Sequence, residues 1–219
     1  MKKISLTFLA LCMSLLTLAQ SSGDLENQFY FRFGYSLPST SFLGNDEAEF
    51  WDYFTRNGAT FELGSIFMLN KAALSDGLRL GINVDYAEFS YHQLSEIDAA
   101  DEFAVYILKV ASKIGPTLSF SPAPRLVFDV FVKARIPWVG GIGLATIDEL
   151  EEVFLAPPGI GVATGINIRY SILMLGFEFN TDNMKYESRD YPGEYFGNIS
   201  DGSDKTPMPS FSFTLGLSF

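Results

Sequence analysis

Apolar residues alternate with small or polar residues along several stretches of the chain. The clearest stretch is Ser210–Phe219, where every second residue is Phe or Leu and the residues between are Ser, Thr or Gly. Gln28–Leu37 and Leu78–Tyr86 repeat the pattern, with Arg, Asn, Asp, Gly or Ser at most of the intervening positions. Because successive side chains of a β-strand point to opposite faces, a period of two places one residue class on each face. The alternation therefore predicts strands with one apolar and one polar face.

Eight strands follow from this pattern, two of them less regular than the rest. The predicted strands are Gln28–Leu37, Ala59–Leu69, Leu78–Tyr86, Ala104–Phe120, Leu126–Ile136, Ile160–Tyr170, Leu173–Phe179 and Ser210–Phe219. The long fourth segment contains Gly115-Pro116. Since proline cannot donate a hydrogen bond to a neighbouring strand, we expect a bulge or an early strand end at this dipeptide.

The connections between the predicted strands alternate in length. The long ones run at about 38–57, 88–102, 137–158 and 182–209, and the short ones lie near 70–77, 121–124 and 171. Outer-membrane barrels have short periplasmic turns, long extracellular loops and an even number of strands. The predicted fold is therefore all-β: an eight-stranded antiparallel up-and-down transmembrane β-barrel.

The composition of the two strand faces favours lipid over water outside the barrel. The polar face consists mostly of Gly, Ser, Asn and Thr with few charges, too little to solvate the exterior of a soluble barrel. The apolar face is rich in Phe, and aromatic residues near strand ends suit interfacial girdles; these are Tyr35, Tyr86, Trp138, Tyr170 and Phe219. A soluble, ligand-binding barrel remains the alternative fold.

The chain resembles small outer-membrane β-barrel proteins of the OmpA/OmpX-like, "porin family" type, over the whole sequence from about Gln28. The most specific element is the last strand, which looks like the C-terminal signal read by the barrel-assembly machinery; its outward residues are Phe211, Phe213, Leu215, Leu217 and Phe219. The resemblance implies this machinery and periplasmic chaperones as transient partners, and outer-membrane lipid and lipopolysaccharide as surroundings. Such barrels share little beyond the pattern, so function carries over poorly.

The first residues have the pattern of a secretory signal. Lys2 and Lys3 precede the apolar stretch Ile4–Leu18, and small residues around Ala19 suit cleavage before Gln20. We therefore expect residues 1–19 to be a cleaved signal peptide, 20–27 a short periplasmic segment and 28–219 the barrel in the bacterial outer membrane. A retained helical anchor is less favoured, because the apolar stretch is shorter than the roughly 20 residues that span a bilayer.

The chain is strongly acidic, and its charged residues are unevenly distributed. The formal net charge is −11, and losing Lys2 and Lys3 makes it −13. The long connections hold 19 of the 26 acidic residues, which places the acidity on the predicted extracellular surface. This balance argues against nucleic acid as a partner. The acidic clusters lack the spacing of a dedicated calcium loop, so a solvated anionic surface is expected, with cation bridging to lipopolysaccharide as the alternative.

Counting alternate positions places most charged strand residues inside the barrel. The predicted interior charge network comprises Arg32, Glu62, Arg79, Asp85, Lys109, Lys113, Asp129, Lys133, Arg135, Arg169 and Glu178. The interior of an eight-stranded barrel is just wide enough for side chains to fill. We therefore expect a salt-bridged plug, and the alternative is a narrow, selective path for solutes.

No catalytic residue, metal site or cofactor is assigned from the sequence. His92 is the only histidine and is expected to be a solvated residue of the second long connection. A barrel enzyme acting on lipid A could pair a histidine with a serine and a carboxylate, but the spacing here matches no such pattern. The sequence thus favours a non-enzymatic barrel with a structural, envelope-integrity or loop-mediated binding role; a narrow channel is the main alternative.

Overall fold

The computed structural model describes residues 25–38, 54–75, 77–96, 104–145, 150–156, 159–181, 183–185, 205–207 and 209–219. The predicted signal peptide and most of the segment 20–27 lie outside these residues. No helix among the described residues is long and apolar enough to cross a bilayer.

Eleven β-strands make up the described structure. They are β1 (Gln28–Pro38), β2 (Phe54–Ser75), β3 (Leu78–Glu96), β4 (Ala104–Ala123), β5 (Leu126–Ala145), β6 (Leu150–Ala156), β7 (Gly161–Tyr170), β8 (Leu173–Thr181), β9 (Asn183–Lys185), β10 (Lys205–Pro207) and β11 (Ser210–Ser218).

Eight of these strands close into a barrel. The sheet runs in the order β4-β3-β2-β1-β11-β8-β7-β5, and pairing of β4 with β5 closes the ring, with every pairing antiparallel. The strand β6 pairs with the upper half of β5, and β9 and β10 form a separate short ladder. The predicted eight-stranded antiparallel barrel is confirmed.

The short turns and both ends of the barrel chain lie at the same end. The backbones of Phe29 and Phe219 exchange two hydrogen bonds of 2.9 and 2.8 Å, which joins the start of β1 to the end of β11. The tight turns after β4 and β7 contain Arg125 and Ser171, each with a positive φ (66° and 56°). We call this the periplasmic end and the opposite end the outer end.

Several predicted boundaries are wrong because the strands continue past them. The strand β3 runs to Glu96, although a connection was expected from Glu88. The strand β5 runs to Ala145, and β6 lies inside the expected connection 137–158. The tall strands β2 to β5 therefore rise above the rim formed by β1, β7, β8 and β11 at the outer end.

The expected break at Gly115-Pro116 is also wrong. The strand β4 passes through the dipeptide, and its register is unchanged on both sides: Gly115 lies opposite Asn83 and Pro116 opposite Ile82 on β3. On the β5 side, the ladder has no pair between Ile114 and Thr117. The missing proline N–H thus interrupts hydrogen bonding with one neighbour without inserting a residue.

Candidate functional site in the barrel lumen

The two faces of the barrel wall differ completely in polarity. The outer face is apolar and exposed, with Phe33, Leu108 and Trp138 62%, 61% and 66% accessible. By contrast, every charged side chain is buried in the described ranges 28–38, 57–69, 80–93, 106–120, 126–139, 160–181 and 210–219. A water-soluble barrel needs the opposite arrangement, because its exterior has to be solvated and its interior fills with apolar side chains. The exterior of this barrel therefore faces lipid.

The lumen holds three groups of polar side chains, stacked from the periplasmic to the outer end. The periplasmic pair is Asp129 and Arg169. The central cluster comprises Arg32, Glu62, Asp85, Glu88, Lys113, Lys133, Arg135 and Glu178. The outer ring comprises Ser36, Thr60, Ser90, His92, Lys109, Asn180, Ser210 and Ser212. All of these side chains are buried.

Arg32 joins three strands at one side of the central cluster. Its Nε donates to Glu62 Oε2 on β2 at 2.6 Å, and its Nη2 donates to Glu178 Oε2 on β8 at 2.8 Å. Its Nη1 donates to Asn167 Oδ1 on β7 at 2.6 Å. The planar guanidinium offers five N–H donors in fixed directions, so one arginine can hold partners on several strands at once.

Two lysines join the opposite side of the barrel to the same carboxylates. Lys113 on β4 forms ion pairs with Glu178 and, at 3.0 Å, with Glu88. Lys133 on β5 donates to Asp85 Oδ2 at 2.5 Å and lies 3.1 Å from Glu178 Oε2. Glu178 therefore receives Arg32, Lys113 and Lys133 together. The central cluster spans the lumen through contacts between strands far apart in the sheet.

Glu88 and Arg135 form the upper layer of the central cluster. Arg135 Nε and Nη2 donate to the two carboxylate oxygens of Glu88 at 3.0 and 2.9 Å. Glu88 lies directly opposite Glu62 in the β2–β3 ladder, an unfavourable arrangement for two like charges. Arg135, Arg32 and Lys113 offset this repulsion, because each contacts at least one of the two carboxylates.

The periplasmic end of the lumen is closed by one ion pair and an apolar layer. Arg169 Nε and Nη2 donate to both oxygens of Asp129 at 2.7 and 2.9 Å, and Ser119 Oγ donates to Asp129 Oδ1 at 2.6 Å. An apolar cluster lies at the same end, with Met174 directly opposite Arg169 in the β7–β8 ladder; its members are Tyr30, Ile66, Met68 and Met174. The lumen is therefore sealed toward the periplasm.

The outer ring is polar but carries few charges. His92 Nε2 lies 2.8 Å from Ser36 Oγ, and Ser212 Oγ donates to Ser36 Oγ at 3.1 Å. Thr60 lies opposite Ser90 in the β2–β3 ladder, and Ser90 lies opposite Lys109 in the β3–β4 ladder. Ser210 lies opposite Asn180. Small hydroxyl side chains therefore line most of this level.

Three carboxylates of the central cluster have the spacing of a metal site. Oxygens of Glu62, Asp85 and Glu178 lie within 4.8 Å of one another. Lys113 Nζ lies 3.4 Å from Glu62 and 3.7 Å from Asp85 and is also paired with Glu178. The lysine ammonium thus supplies the positive charge that a metal ion would bring to these oxygens.

Of the eleven residues predicted from the sequence, ten are buried in the lumen. Arg79 differs: it is half-buried at the periplasmic end and donates from Nη1 to the backbone carbonyl of Leu25 at 2.7 Å. Seven of the eleven contribute to the central cluster, and Asp129 and Arg169 form the periplasmic pair. Lys109 belongs to the outer ring.

Sequence reasoning missed Glu88 and misplaced His92. Glu88 was assigned to a connection but is 3% exposed, and His92, expected to be solvated, is 1% exposed. A register shift between Asp85 and Glu88 turns the side chains of Glu88 and His92 inward. The signal is visible in the sequence, because the apolar positions are even-numbered from Leu78 to Tyr86 and become odd-numbered at Phe89 and Tyr91.

Comparisons with known proteins return similar folds at low identity. No protein-family model and no curated protein matches the chain. The structure of the attachment invasion locus protein Ail of Yersinia pestis, solved with the heparin analogue sucrose octasulfate, is 10% identical, covering 89% of this chain and 99% of Ail with a TM-score of 0.45. Neisserial surface protein A is 11% identical (88% and 95% covered, TM-score 0.37), and the outer membrane enzyme PagL is 11% identical (86% and 97% covered, TM-score 0.37).

At identities and TM-scores this low, neither a ligand nor an activity transfers from these proteins to this chain. What places the barrel in a membrane is its own wall, whose exposed face is apolar and whose buried face carries the charges. Antiparallel strands, an even strand number and short turns at the end where the termini meet complete the arrangement. The chain is an eight-stranded β-barrel of the small outer-membrane type.

Proposed function

We propose that this protein is a non-enzymatic anchor barrel that holds its acidic connections on the cell surface, where they bind a partner or contribute to envelope integrity. The observation that carries the proposal is the central cluster. Its ion pairs link β1, β2, β3, β4, β5 and β8 across the lumen. A barrel closed in this way offers no open path for solutes.

Opening such a lumen is energetically costly. Separating one member of a buried ion pair leaves an uncompensated charge, which costs about 3–5 kcal/mol. Glu178 alone is in contact with Arg32, Lys113 and Lys133, so a path along the axis requires several such separations at once. The narrow-channel alternative is therefore less favourable than the closed barrel.

The enzymatic alternative has one described Ser–His pair, Ser36 and His92. Both residues are 1% exposed and lie on the inner face of the wall. A lipid substrate contacts the outer face of a barrel, which the hydroxyl of Ser36 does not reach. This placement favours a non-enzymatic role.

The partners proposed for this barrel follow from its exterior. Lipid and lipopolysaccharide are proposed to cover the apolar outer face. The C-terminal strand is proposed as the assembly signal, because Phe211, Phe213 and Leu215 lie on that face, 53%, 47% and 59% exposed. Transient binding to the assembly machinery and periplasmic chaperones is an expectation from this pattern.

Planar-bilayer recording tests the closed barrel. We expect the purified wild-type protein to show no conductance steps and Glu178→Gln to show flickering steps, because the substitution releases three cations from their shared carboxylate. Glu26→Gln is the control, since Glu26 is exposed outside the strands. Regular steps in the wild-type recording would contradict the anchor role.

Shortening the acidic connections tests the surface role. Replacing residues 39–53 or 186–204 by a short Gly-Ser turn is expected to leave the heat-shifted gel band intact, because all the described barrel strands lie outside these two segments. The cell-surface phenotype of a deletion strain should then return with the full chain and not with the shortened chain. Full rescue by both shortened chains would contradict loop-mediated binding.

A further inference from the structure

The apolar outer face of the barrel is taller on one side than on the other. On β4 the outward positions are apolar apart from Ser112; they are Tyr106, Leu108, Val110, Ser112, Ile114, Pro116, Leu118 and Phe120. On β11, which lies directly opposite β4 in the ring of eight strands, the outward apolar run is Phe211–Phe219. At about 3.3 Å per residue and a strand tilt of about 40°, these runs are about 35 Å and about 20 Å tall. The apolar band of an outer-membrane barrel is about 25 Å tall, so the β4 side exceeds it.

Ser112 does not break the apolar face of β4. Its Oγ donates to the backbone carbonyl of Tyr86 at 2.6 Å. Tyr86 lies at the register shift of the β3–β4 ladder between Asp85 and Glu88, where regular ladder bonding is interrupted. The hydroxyl and the carbonyl therefore satisfy each other, and lipid can cover both.

The extra height carries an exposed apolar patch on three neighbouring strands, which we call the raised patch. It consists of Tyr91 on β3, Tyr106 and Leu108 on β4, and Trp138 and Val139 on β5. Leu108, Trp138 and Val139 are 61%, 66% and 54% exposed. Exposed apolar patches mark surfaces that contact a protein or a membrane.

A β-bulge adds to the raised patch. In the β4–β5 ladder Val110 lies opposite Val139, whereas the next residue of β4, Ala111, lies opposite Pro137. Trp138 is the extra residue of β5, and it faces outward together with its neighbour Val139. The bulge thus places two consecutive apolar side chains on the outer face.

Tyrosines mark the upper part of the apolar face on both sides of the barrel. On β1, which lies opposite β5, Tyr35 Oη donates to Asn57 Oδ1 at 2.8 Å. On the taller side, the rings of Tyr91 and Tyr106 stack with centroids 6.2 Å apart, and Tyr91 Oη donates to Gln93 Oε1 at 3.3 Å. Tyrosine suits the membrane–water interface because one end of its side chain is apolar and the other is polar. The interface is therefore expected near Tyr35 on one side and as far up as Tyr106 on the other.

The continuity of the wall indicates which molecule covers the raised patch. Val110 and Ile136 join the patch to the lipid-facing wall below it, and no charged side chain on the described outer face of β4 or β5 lies between them. A protein-binding site is usually bounded by a polar rim, which is missing along this described border. An apolar span taller than the bilayer is accommodated by a tilt of the barrel or by local thickening of the leaflet.

We infer that acyl chains of the outer leaflet cover the raised patch, so that lipid reaches farther up the barrel at β3–β5 than at β1. The inference rests on the lipid cover of the outer face proposed above and adds where that cover ends. Trp138 lies in the contact itself, and its fluorescence reports what surrounds it.

Quenching by brominated lipid tests the inference on the full barrel folded in phosphatidylcholine vesicles. The chain has two tryptophans, Trp51 and Trp138, so Trp51→Phe leaves Trp138 as the sole emitter. Lipid brominated near the headgroup end of its acyl chains is expected to reduce the emission of Trp138 roughly twofold relative to unbrominated lipid.

Two variants without either native tryptophan provide the controls. Phe33→Trp places the emitter on the exposed wall of β1, and its emission should also fall roughly twofold, because lipid covers this level on all sides. Leu37→Trp places the emitter near the outer end of β1, opposite the raised patch, and its emission should fall clearly less than that of Trp138. A heat-shifted gel band verifies that each variant is folded.

The controls separate failure of this inference from failure of the lipid cover. Quenching at Phe33→Trp without quenching of Trp138 overturns the inference alone. A blue emission maximum of Trp138 would then assign the raised patch to a protein or a second copy of the chain, and a red maximum would assign it to water. Equal quenching of Trp138 and Leu37→Trp means a level lipid boundary and also overturns the inference. Absence of quenching at Phe33→Trp overturns the lipid cover itself.

Discussion

The central cluster and the outer ring are neighbours in one lumen, and both are buried and polar. In the central cluster, long charged side chains reach across the barrel and contact one another, as Arg32 does with Glu178. In the outer ring, short neutral side chains such as Thr60 and Ser90 face each other without bonding. The two levels show two ways to bury polarity. In the central cluster, ion pairs between strands compensate the buried charges, whereas the outer ring buries short neutral groups with few contacts across the barrel.

The largest effect that separates the two levels is expected for Glu178→Gln. The amide keeps the shape but removes the charge shared by Arg32, Lys113 and Lys133, so three buried cations lose part of their compensation. We expect the free energy of unfolding to fall by about 3–5 kcal/mol. Urea titration of the protein in lipid vesicles, followed by tryptophan fluorescence, measures the loss. An unchanged midpoint would mean that the central cluster contributes no stability.

A smaller effect is expected at the periplasmic pair. Asp129→Asn removes the charge that Arg169 contacts through two hydrogen bonds, while Ser119 keeps an acceptor. Because one cation rather than three is affected, we expect a loss of about 2–3 kcal/mol in the same titration. A loss as large as that of Glu178→Gln would contradict the idea that a carboxylate shared by three cations contributes more stability than one paired with a single cation.

Gly176→Ala tests how tightly the central cluster is packed. A Cβ at this position would overlap Thr214 Oγ1 and would lie 2.6 Å from Arg32 Nη1 and 3.1 Å from Asn167 Oδ1. Thr214 and Arg32 both have to shift to make room, so we expect the unfolding free energy to fall by about 1–3 kcal/mol. The heat-shift temperature of the gel band reports the change. A fully tolerated alanine would show that the lumen at this level has spare space.

The smallest effect, and one of opposite sign, is expected in the outer ring. Thr60→Val keeps the side-chain shape and removes a buried hydroxyl that has no described partner. Because an unsatisfied polar group is replaced by an apolar one, stability should stay the same or rise by up to about 1 kcal/mol. Urea titration in vesicles again measures it. A loss above this range would mean that the hydroxyl is bonded within the protein, which removes the contrast between the two levels.

Much of the lumen was predictable from the alternation alone. Counting every second residue assigned Arg32, Glu62 and Glu178 to the inner face, because the period of a strand is a local property of the backbone. The same counting failed beyond Tyr86. One extra residue in β3 changes the phase there, and a count that keeps its first phase places Glu88 and His92 wrongly.

The cross-barrel partners were not predictable. Arg32 and Glu178 are 146 residues apart, and Lys133 and Asp85 are 48 apart. Each of these residues was correctly assigned to the inner face. The sequence does not indicate, however, which of several inward carboxylates a given cation contacts. Which carboxylate a given cation reaches depends on strand tilt and register, and these are properties of the closed ring.

The sequence by itself determined the eight barrel strands, although not all of their ends, and the polarity of their two faces. The physical reason is that the alternation of side chains is a local property of an extended backbone. The tertiary structure alone decided that Glu88 joins the central cluster, that His92 lies inside beside Ser36, and that β4 passes Pro116 without a bulge. These outcomes depend on closure, because closure sets which inner residues share a level.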